Sequence, residues 1–222
     1  MKSAAPSPAG RKRPTTSQRI NDPARTTADI IAVATREFAE NGLAGARIDE
    51  IAQAMRTSKR MIYYYFGSKE RLYISVLEHA YRHIREAEAA LELDELEPEE
   101  ALRKLVGFTV DYQLAHPDFV RLIMSENTNR ARYLAQSETI GRVNVPAIAL
   151  LEALYRRGVA KGVFRPAVDL IDLHMSISAL AVFNVANRHT FSLIFKTDFE
   201  SAPFLRARRD SIIKMVTGFV TR

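Results

Sequence analysis

The sequence contains no cysteine. A disulfide, a thiolate zinc site and a cysteine nucleophile are therefore all excluded. No apolar run approaches the roughly 18 residues that a membrane-spanning helix needs. The N-terminus also lacks the apolar core of a secretory signal peptide. These absences predict a cytoplasmic protein that has no membrane partner.

Signatures of catalysis are equally scarce. The chain has no glycine-rich phosphate loop, no Gly-x-Ser-x-Gly and no His-Glu-x-x-His. His79 and His83 have the i, i+4 spacing of a helical metal site, but no third ligand is marked by its spacing. We therefore predict no catalytic residues, no cofactor and no metal. A helical enzyme or metal-binding protein that uses these two histidines stays an alternative.

The positive charge is concentrated at one end of the chain. Residues 1–69 contain 12 Lys/Arg and 6 Asp/Glu, whereas residues 70–222 contain 20 of each. A basic N-terminal module on a neutral body is typical of a protein that binds a polyanion. Residues 1–22 are rich in Ser, Pro, Thr and Ala, which predicts a disordered basic arm.

Apolar residues recur at helical spacing along the rest of the chain, as in Ile31, Ala34 and Phe38. No stretch alternates as a strand does, so the fold class is predicted to be all-α. Asn41-Gly42 predicts the end of the first helix. Later helices are predicted at about 98–115, 117–126, 138–158, 168–195 and 202–220, the last one capped by Ser201.

A tight turn at residues 56–58 separates two short helices in the N-terminal third. Ser58 is a good N-cap for the second of them, which is predicted to run from Lys59 to about Tyr65. Short helices around such a turn predict a helix-turn-helix, whose second helix enters the major groove of DNA. Residues 23–69 are therefore assigned to a DNA-binding domain, and residues 70–222 to a ligand-binding and dimerisation domain.

The first turn of the recognition helix carries the donors that DNA recognition needs. Lys59 and Arg60 suit guanine edges or phosphates. Lys69, in the first turn of the next helix, adds a lysine to a helix N-terminus, which suits a phosphate. The predicted DNA-binding residues are Arg47, Thr57, Ser58, Lys59, Arg60, Met61, Tyr63, Tyr64 and Lys69.

Three segments of this region resemble the TetR family of regulators. They are Phe38-Ala39-Glu40-Asn41-Gly42, Ile48-Asp49-Glu50-Ile51-Ala52, and the run from Ser58 to Tyr73 that reads SKRMIYYYFGSKERLY. The resemblance implies an all-helical homodimer. It also implies an N-terminal DNA-binding domain and a C-terminal domain that binds a small inducer.

The chain departs from that family at four positions. Many members carry Thr or Ser where this chain has Ala46 and Arg47, and such hydroxyls cap the helix and contact phosphate. Many have Gly where this chain has Arg56, which is strained if the turn is left-handed. Position 60 is often small, whereas Arg60 is long enough to reach a base. These departures predict an atypical operator sequence.

A ligand pocket is expected among the helices of the C-terminal domain. An apolar wall with a few polar groups is what a small-molecule site needs. The predicted ligand-binding residues are Phe108, Tyr112, Met124, Asn127, Arg130, Phe183, Asn184 and Arg188. Arg130 or Arg188 matters most if the ligand carries a carboxylate. Each of these residues also fits an ordinary helical core.

The last two predicted helices are apolar on more than one face, which predicts a homodimer through them. The working hypothesis is a homodimeric repressor released from a palindromic operator of double-stranded DNA by a small-molecule inducer. Activation in place of repression stays open. The remaining alternative is a helical protein-interaction module with an incidental basic arm.

Overall fold

The computed structural model describes residues 22–221. The ten α-helices of this part of the chain are α1 (Pro23–Gly45), α2 (Ile48–Ala54), α3 (Lys59–Phe66), α4 (Lys69–Ala89), α5 (Pro98–Ala115), α6 (Pro117–Thr128), α7 (Glu138–Ala160), α8 (Leu170–Ala186), α9 (Arg188–Phe195) and α10 (Ala202–Val220). Apart from a single β-bridge between Phe164 and Thr221, residues 22–221 form no β-structure. The all-α prediction is confirmed.

The first three helices pack around a core that they share with α4, with Leu122 of α6 and with Ile140 of α7. Ile30, Ala34 and Phe38 of α1 are fully buried and lie four residues apart, so they share one face of the helix. The sequence predicted Ile31 at the start of this buried stripe. Ile31 is only partly buried, and Ile30 takes its place in the core. Ile62 of α3 closes the same core.

Helix α4 joins this core to the body of the protein. Its first half buries Leu72 and Val76 against the N-terminal core. Its second half runs into the body, where α5, α7, α8 and α10 pack around a second core that includes Leu102 and Leu151. The two ends of one rigid helix therefore contact different parts of the molecule.

Two helix boundaries differ from the prediction. Helix α1 continues past Asn41-Gly42 to Gly45, with a kink where Gly42 adopts a φ of 62°. The predicted helix at 168–195 is broken at Asn187 into α8 and α9, which are bent by 64°. Phe191 of α9 packs edge-to-face on Phe183 of α8 across this bend, with ring centroids 4.9 Å apart.

Two further sequence expectations concern the ends of the body. Ser201 precedes α10 as predicted, but its side chain accepts no capping hydrogen bond. In the part of the chain that the structure describes, no single helix is long and apolar enough to cross a membrane. Within that part, only the bent pair of α8 and α9 reaches the necessary length and composition, and only when the two helices are counted together.

Candidate nucleic-acid interface

The recognition helix α3 is fixed by a cap and by two core residues. Ser58 Oγ accepts a hydrogen bond from the backbone N–H of Met61 over 3.3 Å, which satisfies one of the free donors at the helix start. Ile62 and Phe66 are buried in the N-terminal core. Because these two anchors occupy one side of α3, the opposite side faces solvent.

That exposed side consists of Lys59, Arg60, Tyr63 and Tyr64. Tyr64 is 78% exposed and Tyr63 is 43% exposed. The neighbouring Tyr65 is partly buried against the core and holds Tyr64 in an edge-to-face contact, with ring centroids 5.3 Å apart. The two exposed hydroxyls are thus available to phosphates or bases.

The two cations of α3 have different surroundings. Lys59 Nζ lies 2.7 Å from Asp49 Oδ2 of α2, so its charge is partly neutralised. Within residues 22–221, Arg60 has no carboxylate partner at ion-pair distance. Met61, between the exposed and buried sides, is partly buried. Arg60 is therefore the α3 cation with its full charge available to DNA.

The start of α2 is built without a hydroxyl cap. Arg47 makes no side-chain capping bond, and its backbone N–H donates to Glu37 Oε1 over 2.9 Å. Its guanidinium is exposed, with Glu50 at 3.9 Å. A carboxylate from α1 therefore supplies a hydrogen bond near this helix start, and among the described residues the exposed Arg47 side chain is paired only with Glu50, at the limit of ion-pair distance.

The turn before α3 is left-handed at Arg56, which has a φ of 53°. A side chain in this region carries a steric cost that glycine does not. The backbone N–H of Thr57 donates to Ala52 O over 2.9 Å, and the Thr57 side chain is only partly exposed. The turn is therefore held by the backbone of α2.

Lys69 begins α4 beside the recognition helix. Ser68 caps α4 by accepting from the backbone N–H of Arg71 over 3.1 Å. Lys69 Nζ donates to Ala44 O, at the end of α1, over 3.4 Å. This long hydrogen bond uses one of three ammonium donors, so two stay available for a phosphate.

Charge is distributed unevenly even within the basic module. Residues 1–21 contain five Lys/Arg and no Asp/Glu, whereas residues 22–69 contain seven Lys/Arg and six Asp/Glu. The predicted arm, apart from Asp22 at the N-cap of α1, lies outside the described residues. Because cations and acids are nearly balanced in residues 22–69, the attraction of this folded domain for DNA depends on where its cations lie.

The structure distributes the predicted ligand-binding residues over several places. Phe108 lines a small cavity in the body, and Tyr112 lines a groove beside α1. Met124 lines a surface depression between α6 and α8. Phe183 and Asn184 line a cleft between α8 and α10. The rings of Phe108 and Tyr112 lie 5.6 Å apart, but these two residues border different cavities.

The other three predicted ligand residues have different surroundings. Arg188 borders both the depression and the cleft. Asn127 is exposed at the end of α6, where its amide donates to Ile123 O of the same helix over 2.9 Å. Arg130 is exposed in the following turn, with a φ of 56°. The eight residues do not share one cavity.

A cluster of buried polar side chains in the body escaped sequence reasoning. Arg85 and Glu88 of α4 form an ion pair of 2.5 Å, with their side chains 14% and 10% exposed. Gln113 of α5 and His174 of α8 line the same small cavity of about 30 Å³. The sequence signal that could have found this cluster was Glu88, an acidic residue four positions after buried Ile84 on the apolar side of α4.

This central cavity contains polar atoms without partners. Neither Arg85 Nε nor Gln113 Oε1 has a hydrogen-bond partner in the structure. Burial raises the pKa of Glu88, although the adjacent Arg85 opposes this effect. Burial, with a smaller contribution from Arg85, lowers the pKa of His174. Unpaired buried polar groups are costly, so the cavity is poised to receive hydrogen bonds.

The two histidines of the metal alternative lie in the groove beside α1. His83 Nδ1 is 2.7 Å from the Tyr112 hydroxyl, and His116 packs on the same Tyr112 ring. His79 lines the groove next to them. Among residues 22–221, no group of three His, Cys, Asp or Glu is placed to hold a metal ion.

A three-helix domain that presents an exposed recognition helix, joined through α4 to a helical body, defines a helix-turn-helix regulator. The sequence matches two descriptions of one family. Residues 30–76 match "Bacterial regulatory proteins, tetR family". Residues 98–216 match "Tetracyclin repressor-like, C-terminal domain". The chain belongs to the TetR family of bacterial transcriptional regulators.

Characterised relatives agree with this assignment. The HTH-type transcriptional repressor NicS of Pseudomonas putida is 40% identical over 174 residues, which cover 78% of this chain and 82% of NicS. The HTH-type transcriptional repressor SCO4008 of Streptomyces coelicolor is 33% identical over 167 residues, which cover 72% of this chain and 78% of that protein. Regulators of this family are not enzymes, so the enzyme alternative is discarded.

Solved structures show the same architecture. The transcriptional regulator SCO4942 of Streptomyces coelicolor aligns with a TM-score of 0.64 and 32% identity, covering 88% of this chain and 98% of that one. A TetR-family regulatory protein from Rhodococcus aligns with a TM-score of 0.70 at 17% identity, covering 89% of this chain and 97% of its own, which shows the shared fold.

Proposed function

We propose that the protein is a homodimeric repressor that binds a roughly palindromic operator and is released from it by a small molecule. The observation that carries this proposal is the exposed side of α3, where Arg60, Tyr63 and Tyr64 project beside Lys59 from a helix fixed on its other side. Repression is favoured over activation because both characterised relatives above are named repressors.

In this proposal α3 enters the major groove. Arg60 reaches base edges, and Tyr64 and Lys69 contact the flanking phosphates. Two-fold symmetry then places the two half-site centres about 34–36 Å apart, one turn of DNA. Arg47, Thr57, Ser58, Lys59, Met61 and Tyr63 complete the proposed DNA-binding surface.

The proposed dimer uses the outer face of α8 and α10. Ile171 and Met175 lie at i and i+4 on α8 and are exposed, as are Met215 and Phe219 on α10. An exposed apolar surface of this kind is stabilised by burial against a partner. Two copies that pack these faces together form a four-helix interface.

The central cavity is the proposed inducer site. A ligand with both an acceptor and a donor satisfies Arg85 Nε and Gln113 Oε1, which have no partner now. At about 30 Å³ the cavity is too small for an organic molecule, so binding must move its walls. Helix α4 forms one wall and begins at Lys69 beside α3, so this movement displaces the recognition helix. The ligand releases DNA only if it prefers that displaced state.

The DNA proposal is tested by fluorescence anisotropy with a duplex from upstream of the protein's own gene and an unrelated duplex. We expect selective, salt-sensitive binding by a dimer. Lys69→Ala should weaken binding to both duplexes alike, whereas Arg60→Ala should reduce the protein's preference for one duplex over the other. Lys196→Ala, at the distant end of α9, is the matched control. If the protein is a dimer but shows no selective, salt-sensitive binding to DNA, the proposal is contradicted.

The inducer proposal is tested separately. Mass spectrometry of the denatured protein identifies any co-purified small molecule. With such a molecule in hand, Gln113→Leu should keep DNA affinity and lose the response to it. A variant that responds normally would move the inducer site elsewhere.

A further inference from the structure

A preformed aromatic cleft lies where α8, α9 and α10 meet, outside the central cavity. Its volume is about 370 Å³, within the range of small-molecule sites. Four phenylalanine rings form its wall, with successive centroids 4.9, 6.1 and 4.5 Å apart: Phe183, Phe191, Phe199 and Phe204. Such a wall favours a flat apolar ring, because edge-to-face and offset contacts add to the burial of apolar surface.

One cation in this cleft is held in place but lacks a counter-charge. Arg208 Nε donates to Asn184 Oδ1 over 2.9 Å. Asn184 is itself fixed, because its Nδ2 donates to Leu180 O over 2.6 Å. No carboxylate of residues 22–221 lies at ion-pair distance from Arg208. Its four remaining N–H groups are therefore oriented and available to an anion.

The second arginine of the cleft differs. Arg188 lies 2.9 Å from Glu200 Oε1, so its charge is already balanced. The cleft therefore offers one unbalanced guanidinium beside an apolar aromatic wall. A planar guanidinium binds a carboxylate through two parallel hydrogen bonds.

We propose that this cleft binds a small aromatic carboxylate, with its ring among the phenylalanines and its carboxylate on Arg208. An aliphatic or inorganic anion lacks the ring, and an uncharged aromatic leaves the partly buried Arg208 without a counter-ion. The site is independent of the inducer proposed for the central cavity.

The test is calorimetric titration of the full-length protein with benzoate, benzyl alcohol and acetate. We expect benzoate to bind once per chain. Benzyl alcohol should bind at least about tenfold more weakly because it loses the charge-assisted hydrogen bonds to Arg208. Acetate should also bind at least about tenfold more weakly because it has no ring to bury among the phenylalanines. Arg208→Gln should lose about tenfold or more in benzoate affinity, and Arg208→Lys should lose less. Arg206→Gln, exposed two residues earlier on α10, should bind as the unchanged protein does.

Several results would overturn the proposal. One is no benzoate binding, or equal binding of benzyl alcohol. Another is unchanged benzoate affinity in Arg208→Gln together with a loss in Gln113→Leu, which would place benzoate in the central cavity. A third is that the unchanged protein binds no benzoate and the Arg208→Gln variant becomes a monomer in sedimentation. That result would assign Arg208 to the subunit interface. The comparison of the three ligands needs no variant, so it stands even if a substitution disturbs folding.

Discussion

At the scale of single residues, the proposed DNA surface contains acids as well as bases. Asp49 of α2 pairs with Lys59 of α3 over 2.7 Å, and both side chains are about half exposed. Exposed ion pairs contribute little to stability. The pair matters more for recognition, because it holds Lys59 toward α2 and removes part of the positive field that α3 presents.

Asp49→Asn should therefore strengthen binding to both the operator and an unrelated duplex. The change frees Lys59 and removes a negative charge near the phosphates, and we expect a gain of about threefold to tenfold at low salt that shrinks as salt rises. Anisotropy titrations at two salt concentrations measure it. Asp198→Asn, exposed after α9, is the charge-matched control and should have no effect. A loss of operator affinity would instead show that Asp49 positions Lys59 for DNA.

At the scale of helices, the end of α7 depends on the close approach of the Phe164 ring to Gly158. Phe164 is fully buried and stacks on Tyr155, whose hydroxyl donates to Arg165 O over 2.7 Å and accepts from Val168 N over 3.0 Å. A Cβ added at Gly158 would collide with the Phe164 ring. The chain can turn from α7 toward α8 in this way only because position 158 has no side chain.

Gly158→Ala should destabilise the protein by about 1–3 kcal/mol, since a well-packed core resists an added methyl group. Urea unfolding measures the free energy. Gly141→Ala, in the same helix, meets open space and should be neutral or stabilising by up to about 1 kcal/mol. If both substitutions have the same effect, helix propensity rather than the Phe164 contact decides the outcome.

At the scale of the whole molecule, the proposed α8–α10 interface would determine whether two recognition helices can bind a palindromic operator together. A monomer contacts one half-site and loses the benefit of the second. Met175 of α8 is 62% exposed on that face. DNA affinity and oligomeric state should therefore change together.

Met175→Glu should give a monomer in sedimentation equilibrium and a large loss of operator affinity, because a buried unpaired carboxylate is costly at an interface. Val145→Glu, a similar change at a 66% exposed position of α7, should leave a dimer. A dimeric Met175→Glu variant, or a monomeric Val145→Glu variant, would place the subunit interface elsewhere.

The sequence by itself determined the features that neighbouring residues encode. Capping by Ser58 and Ser68, the burial of one side chain in each successive turn of α1, and the motif around α3 all follow from spacing along one helix. The family and the all-α fold could be predicted for the same reason. The break at Asn187 could not, since no proline or glycine marks it and the contact between Phe183 and Phe191 forms only across the bend.

Only the tertiary structure decided which polar groups meet. Gln113 and His174 come together with Arg85 from three helices, and Arg208 reaches Asn184 from 24 residues away. Their sequence positions resemble ordinary core or surface positions. What distinguishes them is the angle and distance at which helices pack, and local propensity does not specify these. The proposed DNA-binding face could therefore be derived from the sequence, whereas the two candidate ligand sites required the fold.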